Sequence, residues 1–145
     1  MKRSSLLQQA AATKQTLFDE GVLDDQFLQL EDIYGDPKSL EELITWSFGE
    51  SAKNIGTIEQ LLERASIDFI EVGKALHKLK GTSASIGAKN VLMKVNEMTE
   101  QCKTNTVDGR CKASLQGLKN EQNDLKEKLT IYLQMKRQAQ PGGAA

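Results

Sequence analysis

His77 is the only imidazole in a chain of 145 residues, and the residues at helical spacing around it are small or basic. Gly73 stands at i−4, Lys80 at i+3, Gly81 at i+4 and Ala84 at i+7, with Lys74 at i−3 and Lys78 next in sequence. At about 100° per residue, His77 falls roughly 130° from the centre of the stripe formed by Phe69, Val72, Leu76, Leu79, Ser83 and Ile86, so it faces water. Each interior glycine costs a helix about 0.8–1 kcal/mol relative to alanine. Gly73 and Gly81 therefore forfeit stability for no packing gain visible in the pattern.

An ordinary imidazole in water is mostly neutral near pH 7 and carries a free lone pair, so it can act as a nucleophile without a general base. Lysines one turn away can neutralise the oxygens of an incoming phosphoryl group. Phosphoryl transfer to His77 is the chemistry this arrangement favours. The simpler alternative is that Gly81 admits a neighbouring helix and His77 is a plain surface residue.

Other chemistries fit less well. One histidine and two cysteines cannot build a His-rich catalytic metal site, a Cys₂His₂ finger or a di-iron bundle, so no metal site is expected. Gly81 to Lys89 resembles a phosphate loop superficially, but no Gly-Lys-Ser/Thr follows and no strand leads into it. Ser83, Cys102 and Asp108 fall on core stripes or a distant loop, which argues against a catalytic triad with His77. With 19 basic against 20 acidic residues, the chain has no field to hold nucleic acid or an anionic membrane, and protein partners are expected. No stretch reaches the ~18 apolar residues of a membrane span, and the apolar run after Met1-Lys2-Arg3 ends too soon for a signal peptide. The chain reads as intracellular, with Cys102 and Cys111 as reduced thiols.

The only prolines are Pro37 and Pro141, and the span between them is dominated by strong helix formers. An all-α fold of six helices follows. The first runs from about Ser5 to Asp19 and stops at Gly21. Asp24 caps a short second helix bearing Phe27, Leu28, Leu30 and Ile33, which ends at Gly35. Asp36-Pro37 starts the third, which runs to about Arg64 with Leu40, Leu43, Ile44, Phe48, Ala52, Ile55, Ile58 and Leu62 on one face. Ser66 or Asp68 caps the fourth, with Asp68 and Glu71 spaced as a capping box, and Gly87 ends it. The fifth carries Val91, Leu92, Val95, Met98 and Cys102. Asp108 caps the sixth, which presents Leu115, Leu118, Leu125, Leu129, Tyr132 and Leu133 up to about Arg137. The last four would form an antiparallel four-helix bundle, with the two N-terminal helices capping one end. Residues 1–137 make one domain, and 138–145 read as a disordered Gly/Ala/Pro-rich tail. Trp46 lies off its helix's stripe and is a possible partner contact, while Phe48 reads as core. Phe18, Phe27 and Leu28 are candidates for a docking patch.

The run His77-Lys-Leu-Lys80-Gly81-Thr-Ser83-Ala-Ser85-Ile-Gly87-Ala88 resembles the signature of histidine-containing phosphotransfer proteins, the intermediates of multistep two-component phosphorelays. The plant type reads His-Gln-Leu-Lys-Gly-Ser-Ser-x-Ser-Ile/Val-Gly-Ala here. Gly21 to Leu30 is also similar to the N-terminal segment of the plant branch, and Cys102, Asp108-Gly109 and Cys111 fall at corresponding spacings. The resemblance covers about Gly21 to Gln134.

That resemblance implies a six-helix fold, four of the helices forming a bundle. It implies that His77 accepts a phosphoryl group from the receiver domain of a hybrid sensor histidine kinase and passes it to a response-regulator aspartate. Lys80, with Lys78 beside it, would face the phosphate. Gly73, Lys74, Gly81, Ser83 and Ala84 would line the receiver-docking face together with Phe27 and Leu28. The Mg²⁺ needed for transfer would come from the receiver's acidic pocket, and this chain would hold no metal or other cofactor. The family further implies a monomeric phosphocarrier of cytoplasm and nucleus, with cytokinin-type signalling as its setting. No Gly-rich ATP-binding domain is present, which argues against a kinase fragment. A helical scaffold that binds receivers without carrying phosphate is the competing class. Lys78 stands where plant members commonly have Gln, and Val95, Met98 and Thr99 stand where they often have a Cys and a Phe-Arg pair. Partner preference is expected to follow from these departures.

Overall fold

The structure, a computed structural model, describes residues 2–103 and 110–139. Six helices account for nearly all of these: α1 (Lys2–Asp19), α2 (Asp25–Ile33), α3 (Pro37–Glu63), α4 (Phe69–Ser85), α5 (Lys89–Lys103) and α6 (Arg110–Ala139). No strand occurs among the described residues.

The caps lie where acidic side chains can accept the free N–H groups of a first turn. Asp24 accepts from the Gln26 N–H, Asp36 from those of Lys38 and Ser39, and Asp68 from that of Glu71. Pro37 follows Asp36 at the start of α3, where a missing N–H does no harm. Asp108, expected to cap α6, lies outside the described residues. Two boundaries differ from expectation: α1 begins at Lys2 instead of Ser5, and α6 continues through Gln138 to Ala139. The remaining tail positions, 140–145, lie outside the described residues.

α3 packs on α4, α4 on α5, α5 on α6, and α6 closes the ring against α3. Glu41 and Glu59 of α3 pair with Arg137 and Lys119 of α6, equal steps forward on one helix and back on the other, so the two run antiparallel. α1 does not cap the end of this bundle. It lies along α6, also antiparallel, since Thr13 donates to Met135 Sδ while Glu20 pairs with Lys128. Ala10 and Leu17 of α1 are buried there in the core, and a shared carboxylate fastens the contact. Glu31 of α2, with its side chain 8% exposed, takes ion pairs from Lys14 of α1 at 3.0 Å and Lys136 of α6 at 2.6 Å. The Tyr132 hydroxyl donates to the same carboxylate at 2.6 Å. One carboxylate thus ties three helices together.

The core stripes hold with exceptions. Ala52 is exposed, whereas Ser47, Ser51 and Asn54 are buried on the inner face of α3. Small side chains suit the close approach of α3 to its neighbours, and the Ser47 hydroxyl donates back to the Leu43 carbonyl. Phe48 is half-buried against the core and Trp46 is 60% exposed.

A second fastening joins the turn before α2 to the turn between α4 and α5. Gly87 has φ +75°, and a Cβ there would lie 2.6 Å from the Phe27 backbone nitrogen and 2.7 Å from an Asp24 carboxylate oxygen. The Asp24 N–H donates to the Gly87 carbonyl. On the other side the Asn90 N–H donates to the Gly21 carbonyl, and the Asn90 side chain to that of Glu20. The turn before α2 and the turn before α5 therefore interlock through two glycines.

Gly87→Ala combines a left-handed backbone with a backbone clash, and should cost roughly 2 kcal/mol or more in denaturant unfolding. The Glu31 contribution depends on pH. Burial alone would raise its carboxyl, but hydrogen bonds from Lys136, Tyr132 and Lys14 outweigh this and hold it below the ordinary 4.5. The unfolded chain then binds the proton more readily than the folded one. The stabilisation is complete above the unfolded value and is lost as pH falls through the lower folded value. Glu31→Gln should cost about 2 kcal/mol near neutral pH and flatten the acid limb of a stability profile measured by urea titration. An unchanged acid limb would remove Glu31 from this role.

Candidate functional site

α4 sets up the site because its two faces differ. Val72, Ala75, Leu76, Leu79 and Ser83 are buried. His77, Gly73, Lys74, Lys78, Lys80, Gly81 and Ala84 are all exposed, as their phase on the helix requires.

The two glycines leave open space. Among the described residues, an added Cβ at Gly73 or Gly81 would meet no atom within 4 Å beyond its chain neighbours and its own turn of helix backbone. Gly81 is therefore not making room for a neighbouring helix of its own fold, which removes the simpler reading of its presence. Gly49 and Gly56 are open too, so openness alone marks nothing. Gly73 and Gly81 differ in standing one turn on either side of the only imidazole.

Charge surrounds His77 on both flanks. At about 100° per residue, Lys74 and Lys78 fall on one side and Lys80 on the other. On the first side lies a cleft of about 570 Å³ between α3 and α4 that His77, Lys74 and Lys78 share with Lys53, Asn54 and Thr57 of α3. Lys74 pairs with Glu71 at 3.1 Å. Among the described residues no carboxylate pairs with Lys53, Lys78 or Lys80, so their charge is available to an anion. No group of three or more His, Cys, Asp or Glu among the described residues could hold a metal ion.

Sequence reasoning missed both Lys53 and Ile70. Ile70 is 75% exposed and joins the same cleft. It stands at i−7 from His77, so two turns of helical phase were enough to find it. Lys53 depends on the register of α3 against α4, which a single-helix pattern does not contain.

Several expected docking residues lie elsewhere. Phe27 is fully buried, edge-to-face with Tyr132 at a centroid distance of 6.1 Å and close to Gly87. It is a core anchor of α2 and cannot meet a partner. Phe18 is half-buried against the same core. Ser83 is 1% exposed and, among the described residues, its hydroxyl has no hydrogen-bond partner, so it also leaves the docking surface. Its small size lets α4 sit close to the bundle. Leu28 is exposed on α2, as a docking contact requires, and is not among the residues lining the cleft at His77. Val95 and Met98 are fully buried and the half-buried Thr99 hydroxyl donates to the Val95 carbonyl. The departures at positions 95 and 98 thus alter core packing and not a partner surface.

Comparison with known proteins agrees with this geometry. The Hpt domain family model matches residues 42–130, a span that contains His77 and its walls from both α3 and α4. "Histidine-containing phosphotransfer protein 4" of Arabidopsis thaliana is 38% identical over 117 residues, covering 79% of this chain and 91% of its own. "Pseudo histidine-containing phosphotransfer protein 5" of Oryza sativa subsp. japonica is 35% identical over 147 residues, covering 100% of this chain and 96% of its own. The crystal structure of a histidine-containing phosphotransfer protein from maize superposes with a TM-score of 0.84 at 32% identity, covering 93% of this chain and 99% of that one. With six helices among its described residues and one open imidazole, and matched along almost its whole length by such relatives, the chain belongs to the Hpt family of two-component phosphorelays, in its plant branch.

Proposed function

We propose that His77 is a phosphoryl carrier, accepting the group from the aspartyl phosphate of a hybrid histidine kinase receiver domain and passing it to a response-regulator aspartate. The observation that carries this reading is the open strip on α4: an exposed imidazole, two glycines whose added Cβ would meet no neighbouring part of the described fold, and Lys78 and Lys80 on opposite flanks with no carboxylate paired to them among the described residues.

Chemically, an unprotonated ring nitrogen of His77 attacks phosphorus in line with the leaving carboxylate. The P–O bond to aspartate breaks as the N–P bond forms. Lys80 and Lys78 neutralise the equatorial oxygens as charge spreads over them. The open ground at Gly73, Gly81 and Ala84 lets the flat mouth of a receiver descend until nucleophile and phosphorus meet. The reverse transfer uses the same geometry. Magnesium belongs to the receiver's acidic pocket in this scheme, and our chain supplies only the imidazole, its cations and a docking surface. The Lys53 wall of the cleft extends that surface, with Lys78 adding a positive charge where plant relatives commonly carry Gln. We assign the chain to the cytoplasm and nucleus as a monomer, on family resemblance.

The pseudo-type relative keeps a second reading in play, a scaffold that binds receivers without carrying phosphate. His77 itself favours the carrier. The discriminating experiment mixes the chain with a phosphorylated receiver domain and Mg²⁺. We expect acid-labile label on the wild type and none on His77→Gln, with receiver binding retained by both. Binding without label on wild type would establish the scaffold instead. A companion variant, Gly81→Leu, should slow transfer at least tenfold while leaving helical content unchanged, because the added side chain enters open space. Unaltered transfer rates would refute the steric role of that strip.

A further inference from the structure

Cys102, near the end of α5, and Cys111, at the start of α6, are free thiols, 6% and 5% exposed. Their sulfurs stand 3.0 Å apart in a thiol hydrogen bond. Phosphoryl transfer to His77 makes no use of them. An S–S bond of ~2.05 Å would need an approach of only about 1 Å from this contact. Cys102 also walls a largely apolar cleft of about 280 Å³ between α4 and α5, together with Ile70, Gly73 and Thr99. That cleft offers a small oxidant a route to a sulfur otherwise enclosed.

We propose that Cys102 and Cys111 form a redox modification site, closing to an intramolecular disulfide under a peroxide-class oxidant and fastening α5 to α6. The peroxide transfers one oxygen to a sulfur as its O–O bond breaks, giving a sulfenic acid and one water. The neighbouring sulfur then displaces that oxygen: the S–O bond breaks, the S–S bond forms, and a second water leaves with the remaining thiol proton. Two electrons pass from the thiols to the peroxide. Burial, with the hydrogen bond shared with Cys111 and the closeness of that second sulfur, pushes the Cys102 thiol up to about 12. The thiolate is therefore scarce and oxidation slow, and the sulfur contact directs the product toward the disulfide over further oxygen addition. Ile70 and Gly73 belong to this cleft and to the His77 cleft alike. The bond thus fixes the end of α5 beside the face on which a receiver would press, a consequence that rests on the docking reading above.

The test treats the folded full chain with graded hydrogen peroxide, then unfolds it, alkylates free thiols and measures intact mass without reductant. Met93, 53% exposed, reports the oxidant dose as its sulfoxide. The expected product is a monomer that has lost two hydrogens and both alkylation sites together, restored by dithiothreitol, with a non-reduced peptide map joining Cys102 to Cys111. Its thermal midpoint should rise by several degrees over the reduced chain. Retention of both alkylation sites after Met93 is fully oxidised would overturn the proposal. So would stepwise oxygen adducts on separate sulfurs, linkage between two chains, or a midpoint that does not rise. None of these readouts involves phosphate, so such a failure leaves the carrier role of His77 standing.

Discussion

The structure depends on α4 being sealed on one face and bare on the other. Val72, Leu76 and Leu79, between 0% and 1% exposed, hold the helix in the core. Among the described residues nothing covers the strip opposite. A helix so held cannot roll to bury its imidazole without exposing that apolar stripe, at ~1.5–3 kcal/mol for each large side chain brought into water. The bundle therefore acts as a rigid mount. It fixes the direction in which His77 points and leaves the approach free.

This division separates two roles within the twelve-residue stretch that begins at His77. Of its exposed members, His77, Lys78, Lys80, Gly81 and Ala84 form the surface a phosphoryl donor would meet. Of its buried members, Leu79 belongs to the core stripe, while Ser83, Ile86, Gly87 and Ala88 shape the end of α4 and its junction with α2 and α5. Gly87 is needed for its positive φ and for the close approach of Phe27 and Asp24. Gly81 makes room for no other described part of the chain. Two glycines six residues apart in one motif thus serve opposite ends, one to let the protein close on itself and one to keep it open to a partner.

The readable part of this architecture was local. Acidic caps at Asp24, Asp36 and Asp68, the proline at Pro37 and the phase of His77 relative to Leu76 and Leu79 all follow from interactions within one helix or one turn. What could not be read depends on how helices meet. Phe27 looks like an exposed aromatic on a short helix until the Gly87 turn and Tyr132 enclose it. α1 looks like an end cap until Glu31 draws Lys14 and Lys136 together. Ser47, Ser51 and Asn54 are buried because α3 packs closely, a fact that polarity patterns hide. Lys53 reaches the candidate site only through the register of α3 on α4, whereas Ile70 lay on the correct phase and needed only a second turn of counting.

The central claim is that one imidazole carries the phosphoryl group. Phosphosite mapping of the wild-type chain after exposure to a phosphorylated receiver, kept at neutral to alkaline pH throughout, tests it most directly. The account predicts one phosphoryl group per chain, on a ring nitrogen of His77, stable to alkali and lost in acid. Phosphate found instead on Thr82, Ser85 or another hydroxyl, surviving acid, would contradict it, as would a chain that binds the receiver and stays unmodified.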